Sequence, residues 1–98
     1  MSLIAMEGEL CISQIAMQRD ALWAAWPASQ PDCTLNLSRV EGCDSSGVQL
    51  LIAARRSAQA RGGRCTLVEV SQAVQQALQN YGFGDAWCAE TTERQHDA

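Results

Sequence analysis

Apolar and polar residues follow two different periods along this chain, and the two periods occur in turn. Three segments have the two-residue alternation or the β-branched composition of strands, and they are residues 3–6, 33–38 and 64–70. After each of them, apolar residues recur at steps of three and four, as on one face of a helix, beginning near Ile12, Val48 and Ala73. This order predicts an α/β fold in which strands and helices alternate.

Capping and breaking residues give the expected limits of these elements. Ser13 and Ser71 are predicted to cap the first and third helices, and Pro27 is predicted to end the first. Glycines are expected at the other two helix ends, with Gly62-Gly63 after the second helix and Gly82 after the third. Gly8 to Leu10 is expected to bend or end the first strand, and residues 85–89 could form a last one.

One domain is predicted over residues 1–89, followed by a polar tail over residues 90–98. With so few residues, a single layer of helices on one face of a mixed, mainly parallel sheet is the economical arrangement. Trp23 and Trp26 occupy core positions of the first helix, and we interpret them as core residues rather than as a ligand platform. An open edge of the sheet could pair with a second copy.

Charge and hydropathy narrow the classes of partner. The formal net charge is −4, so the chain has no general attraction to nucleic acid or to anionic lipid. No stretch has the roughly 20 apolar residues of a membrane span. The N-terminal residues meet Glu7 and Glu9 at once and make a poor signal peptide, which indicates a cytoplasmic protein.

The five cysteines do not indicate a metal site or a disulfide framework. No two of them have the C-x-x-C spacing, and the one histidine, His96, lies in the polar tail. Cys33 and Cys65 are expected as small buried residues on strands, and Cys43 as the one cysteine that is partly exposed. No metal and no cofactor are predicted.

The junction between the second strand and the second helix carries the polar residues Asp44, Ser45, Ser46 and Gly47 in a row. Capping explains one of them, with Asp44 or Ser45 accepting from the first helical amides and Gly47 allowing a tight turn. The functional interpretation is that Ser45 accepts a phosphate, because the start of a helix tolerates an anion while a partner packed over it does not. Catalysis is not expected, because the folded region offers Ser45 no histidine as a base.

The same residues resemble the STAS domain family, the anti-sigma factor antagonists and their relatives. The resemblance rests on the Leu37-Ser38 strand end, the Asp-Ser-Ser-Gly helix start, the glycine pair before the third strand and Ser71 with Ala73 and Val74. Gly8-Glu9-Leu10 resembles the GELD turn of the family, although Cys11 stands where that turn has its aspartate. The resemblance covers roughly residues 3 to 88.

The resemblance implies a non-enzymatic regulator that acts through protein contacts. In the antagonist branch the serine after the aspartate, here Ser45, is phosphorylated by a serine kinase that is also the anti-sigma factor. Residues beside it would contact the partner, and they are Glu41, Cys43, Asp44, Ser46 and Gly47. The short chain ends resemble two other branches: STAS proteins of chemotaxis-type signalling complexes, and the STAS subunit of the lipid-asymmetry ABC transporter, which binds the ATPase subunit. Nucleotide or small-anion binding is a third alternative, with Arg39 as the only basic residue near Ser45.

Overall fold

The computed structural model of the chain describes residues 2–83, and within them strands and helices alternate. The strands are β1 (Ser2–Leu10), β2 (Cys33–Cys43) and β3 (Cys65–Val68), and the helices are α1 (Ile15–Ala25), α2 (Ser45–Ala60) and α3 (Gln72–Asn80). The predicted order of elements is confirmed. Predicted features of residues 85–98, including the last strand and the tail, lie outside the described residues.

The three strands form one sheet in the order β1-β2-β3, and both of its ladders are parallel. The predicted α/β class is therefore confirmed. The sheet was expected to be mixed, whereas the described strands are all parallel. Right-handed connections between neighbouring parallel strands bring α1 and α2 to the same side of the sheet.

One face of the sheet is buried and the other is open. Ile4, Leu35 and Leu67 lie side by side in the ladder and point into one apolar cluster shared with the helices. The alternate residues of β1, which are Leu3, Ala5, Glu7 and Glu9, are exposed on the opposite face. The helices therefore cover a single face of the sheet, as predicted. Cys33 and Cys65 face each other across β2 and β3 and are buried, which also agrees with the prediction.

Two strands are longer than the hydrophobic pattern predicts. β1 continues through Gly8, which has a φ of 88°, and the register with β2 shifts between Gly8 and Glu9, where β2 has the extra residue Glu41. Gly8 therefore does not end the strand. β2 continues from Ser38 to Cys43, because Val40 reaches the core and the backbone stays paired with β1. Residues 39–43, which lie beyond the predicted end of this strand, are thus part of β2.

The helix ends agree with the sequence at four of five predicted places, one of them being the end of α1 at Ala25, just before Pro27. Ser71 caps α3 by accepting from the Val74 amide at 3.4 Å, and Gly82 follows α3 at a φ of 86°. After α2, the Gly63 amide donates to the Ala58 carbonyl, which closes a Schellman turn. The cap predicted at Ser13 is wrong: Gln14 precedes α1 without a side-chain cap.

A stacked pair of tryptophans at the end of α1 contacts Arg61 at the end of α2. Trp26 is buried, its ring lies 5.6 Å from that of Trp23, and the Arg61 guanidinium stands 3.9 Å above the Trp26 ring. Arg61 also donates to the carbonyls of Pro27 and Gln30 at 3.0 and 2.8 Å. The interpretation of Trp26 as a core residue is therefore confirmed, with Arg61 serving as its cover.

We expect Arg61→Ala to lower the free energy of unfolding by about 1–2 kcal/mol, because it removes a cation–π contact and two hydrogen bonds to carbonyls. Urea denaturation followed by tryptophan fluorescence measures the change. Arg56→Ala, on the exposed face of the same helix, is the control and should change the free energy of unfolding by less than half as much. Equal losses in the two variants would show that Arg61 contributes only its charge.

Candidate functional site

Asp44 is the N-cap of α2 and organises the junction. Its Oδ1 accepts hydrogen bonds from the backbone amides of Ser46 at 2.8 Å and Gly47 at 3.3 Å. These are amides that have no partner within the helix, so the carboxylate satisfies them and opposes the positive end of the helix dipole. Of the two caps considered from the sequence, the structure selects Asp44.

The second oxygen of the same carboxylate reaches another part of the chain. Asp44 Oδ2 accepts from the Ile12 amide at 3.0 Å, and the Asp44 amide donates to the Leu10 carbonyl at 3.2 Å. These donors hold the pKa of the Asp44 carboxyl below its usual value, with the Ile12 amide as the largest cause. The turn after β1 is therefore tied to the start of α2, a connection that the spacing of these residues does not indicate.

Ser45 is the first residue of α2 and its side chain is exposed. Within residues 2–83 its hydroxyl has no hydrogen-bond partner, so it is neither a cap nor part of a buried network. Ser46, in contrast, is half-buried and presents its amide to Asp44. Neither serine hydroxyl has a hydrogen-bond partner within residues 2–83, and the two residues differ in that Ser45 is exposed whereas Ser46 is half-buried.

Gly47 is buried where α2 approaches the end of β1. A Cβ at this position would lie 2.7 Å from both Cys43 Sγ and Leu10 Cβ, and closer still to the Leu10 carbonyl oxygen. Gly47 was expected to permit a tight turn, and that prediction is wrong. It lies inside the helix, and the absence of a side chain there lets the helix pack against the strand.

The two rim residues predicted beside the junction lie on the last part of β2. Glu41 is exposed and Cys43 is half-buried, with burial raising the pKa of the Cys43 thiol to about 11. The thiol is therefore neutral near pH 7 and a poor nucleophile. Cys43 was expected to be the one partly exposed cysteine, but Cys11, in the turn beside it, is half-buried as well.

A shallow apolar groove runs beside the helix start, between α1 and α2. It has a volume of about 290 Å³ and its apolar lining consists of Ile12, Ile15, Leu50 and Ala53. Its polar lining residues are Arg19, Ser46 and Gln49. Ile12 is 71% exposed, an unusual position for a large aliphatic side chain that was predicted to face the core. The sequence pattern missed this groove because it places Ile12 on the inner face of α1, whereas the helix begins only at Ile15.

The described residues offer little to an anion or a metal ion. Arg39 forms an ion pair with Glu7 at 3.9 Å, both being exposed. Residues 2–83 contain no group of three or more side chains arranged to hold a metal ion. In the same part of the chain, no helix is long and apolar enough to cross a membrane.

Comparison with known families decides the classification. A family model described as Mlab, STAS domain matches residues 2–89. The chain belongs to this STAS domain family. No curated protein sequence matches it.

A solved structure supports the same assignment for the fold. This STAS domain is similar to the anti-sigma factor antagonist SpoIIAA in its unphosphorylated form, with a TM-score of 0.67 and 27% sequence identity. The alignment covers 98% of this chain and 88% of SpoIIAA. The resemblance drawn from the Asp44 junction and its neighbours is thereby confirmed at the level of family and fold.

We expect the stability that Asp44 provides to depend on pH. Because hydrogen bonds lower its folded-state pKa, the contribution is present above the unfolded pKa near 4 and is lost as the pH falls through the folded value. Asp44→Asn keeps an N-cap oxygen but no longer accepts from both sides. Wild type should therefore unfold at higher urea than Asp44→Asn at pH 7, and this difference should shrink below about pH 4.

Glu41→Gln, which removes an exposed carboxylate two positions along β2, is the control for the pH experiment. Its midpoint should remain close to that of wild type at both pH values. A difference between wild type and Asp44→Asn that is the same at pH 3 and pH 7 would contradict the assigned role.

We expect Gly47→Ala to lower the free energy of unfolding by about 1–3 kcal/mol, because the new methyl group would overlap Leu10 and Cys43. Gly42→Ala is the matched control, since its Cβ would meet its nearest neighbours at 3.6 Å, an ordinary contact. Thermal denaturation of both variants measures the effect. A Gly47→Ala protein as stable as Gly42→Ala would disprove the close approach of α2 to β1.

Proposed function

We propose that this STAS domain, spanning residues 1–89, is a non-enzymatic regulator that binds a partner protein through the start of α2. We propose further that phosphorylation of Ser45 switches the binding, and that the partner is an anti-sigma-type serine kinase or a chemotaxis-type signalling complex. The exposed Ser45 hydroxyl, free of hydrogen bonds within residues 2–83, is the observation that carries the proposal. A kinase needs an accessible hydroxyl of this kind.

The charges around Ser45 explain how the fold could survive the modification while the surface changes. A phosphate adds about −1.5 to −2 charges at the positive end of a 16-residue helix, which favours it. Asp44 already occupies the amides of Ser46 and Gly47, so the phosphate would have to stay on the outer side of the cap. It would therefore project toward a bound partner. Acidic groups of the partner would repel it, and apolar groups would deprive it of water.

The groove beside the helix start supplies the apolar part of the proposed binding surface. Ile12 and Leu50 contribute to its lining, and Ile12 is connected to the phosphorylation site through Asp44. Protein interfaces combine an apolar centre with a polar rim, and the groove together with Ser45, Ser46 and Glu41 has that composition. Cys43 and Asp44 complete the proposed contact surface, and Gly47, which is buried, positions these groups without reaching the surface.

Affinity capture from native lysate, with mass spectrometry of the bound proteins, tests the switch. Wild type, Ser45→Ala and Ser45→Asp serve as baits, and Gln72→Asp is the matched control because Gln72 is an exposed first residue of α3. We expect Ser45→Asp alone to lose or gain a kinase or signalling protein. Its free energy of unfolding should change by less than about 1 kcal/mol.

Phosphopeptide mapping of the protein isolated from its own cells provides the direct check. Phosphate on Ser45 is expected in a fraction of the molecules. Identical partner sets for wild type, Ser45→Ala and Ser45→Asp, together with no phosphate at Ser45, would disprove the switch while leaving the STAS fold unaffected.

A second candidate function is that of a constitutive STAS subunit bound to the ATPase of a lipid-asymmetry ABC transporter. The observation that favours it is the cap itself: Asp44 satisfies the Ser46 and Gly47 amides without any phosphate, so Ser45 would serve as a contact residue only. Under this alternative all four baits retain the same ATPase. Ile12→Asp puts a charge at the groove and would then release the ATPase. Met17→Asp changes an exposed residue of α1 that does not line this groove, and it would not release the ATPase.

A further inference from the structure

The outer edge of β1, on the side away from β2, has no strand paired with it within residues 2–83. β1 lies at one end of the sheet, and its only ladder within residues 2–83 is the one with β2. At nine residues it is long for an edge strand. Open edges of this kind are templates for pairing with another strand unless charges, bulges or a covering element prevent it.

The second half of β1 carries two of these protective features, charges and a covering side chain. Glu7 and Glu9 are charged, and the register with β2 shifts between Gly8 and Glu9 at the extra residue Glu41 of β2. The buried Gln18 side chain of α1 donates to the carbonyls of Glu7 and Glu9 at 2.7 and 3.3 Å, which occupies backbone acceptors in this half. Pairing with another strand is therefore disfavoured there.

The first half, Ser2–Met6, has neither a charged residue nor, within the described part of the chain, a covering side-chain contact to its backbone carbonyls. Its ladder with β2 is regular from Ser2 to Ala5 and shifts register only at Met6, and it carries Leu3, which is 67% exposed. A groove of about 300 Å³ runs between this strand and α1, with Ile4 and Met6 on the strand side and Ala21 and Ala25 on the helix side. If a strand were added at this edge, its side chains on the helix-covered face would pack into this groove.

We propose that the first half of β1 pairs antiparallel with the same segment of a second copy of this chain. The occupant follows from self-complementarity: with Ile4 on the two-fold axis, Leu3 of each copy lies opposite Ala5 of the other. The two Ile4 residues meet on one face and Leu3 meets Ala5 on the other, while Ser2 lies opposite Met6 at the ends of the paired segment. Glu7 and Glu9 lie beyond this segment, so no two carboxylates face each other. The two sheets join into one six-stranded sheet.

The helices fit this arrangement. A two-fold axis perpendicular to the sheet leaves both sets of helices on the same face, with the two α1 helices on either side of the joined groove. Ala21 and Ala25 are exposed and small, so they leave room for the partner's Ile4 and for the approach of its α1. The interface lies on a different surface from Ser45, and the dimer does not depend on the proposed switch.

Sedimentation velocity of the full-length protein, from micromolar to hundreds of micromolar, tests the dimer. Wild type should shift toward twice the 10.6 kDa mass as the concentration rises. Leu3→Lys/Ala5→Lys sets two pairs of like charges directly opposite each other and should raise the dissociation constant at least about tenfold. Gln72→Lys/Gln76→Lys, the same charge change on the exposed face of α3, should dimerise as wild type does or more readily.

Amide hydrogen exchange of wild type supplies a readout that does not need the variants to fold. Amides of Ser2–Met6 should become more protected as the concentration rises, while those of α3 should not. A wild type that stays monomeric overturns the proposal, whether its edge is empty, filled from within the chain or reserved for another protein. A dimer that survives in Leu3→Lys/Ala5→Lys with no concentration-dependent protection of β1 overturns it too.

Discussion

A single carboxylate connects the parts of this domain that form its candidate site. One oxygen of Asp44 accepts from the first amides of α2, and the other accepts from the Ile12 amide in the turn after β1. Without this carboxylate, the start of α2 and the turn after β1 would each have unsatisfied amides at the carboxyl ends of the strands. The position of Ser45 and the exposure of Ile12 both follow from where Asp44 holds these two segments.

The close packing of α2 against β1 depends on a neighbouring constraint. Gly47 allows the helix to approach the Leu10 carbonyl, and this approach lets the Asp44 amide donate to the same residue. The cap and the close approach therefore support each other: the helix must be near for the carboxylate to reach Ile12, and Gly47 makes that possible. A site built on such contacts can carry an exposed hydroxyl on a rigid support.

Two surfaces of the domain have separate chemistry. The start of α2 combines an exposed hydroxyl with an apolar groove, which suits a protein partner and a switch by charge. The first half of β1 is uncharged, carries Leu3, Ile4 and Ala5, and has no strand on its outer edge within residues 2–83, which is the basis for the proposed pairing with a second copy. Because α1 contributes Ile15 to one groove and Ala21 and Ala25 to the other, this helix lies between the two proposed interfaces.

The sequence by itself determined the class of the fold, the order of its elements and the junction where the site lies. Local patterns sufficed there, because alternation, helical period and capping residues such as Ser71 act within a few positions along the chain. Tertiary structure alone decided how far β1 and β2 extend, since pairing between strands and burial of Val40 outweighed the turn signals at Gly8 and the polar residues after Ser38. The link from Asp44 to Ile12, the role of Gly47 and the exposure of Ile12 arise from contacts between residues distant in the sequence, which no local pattern records.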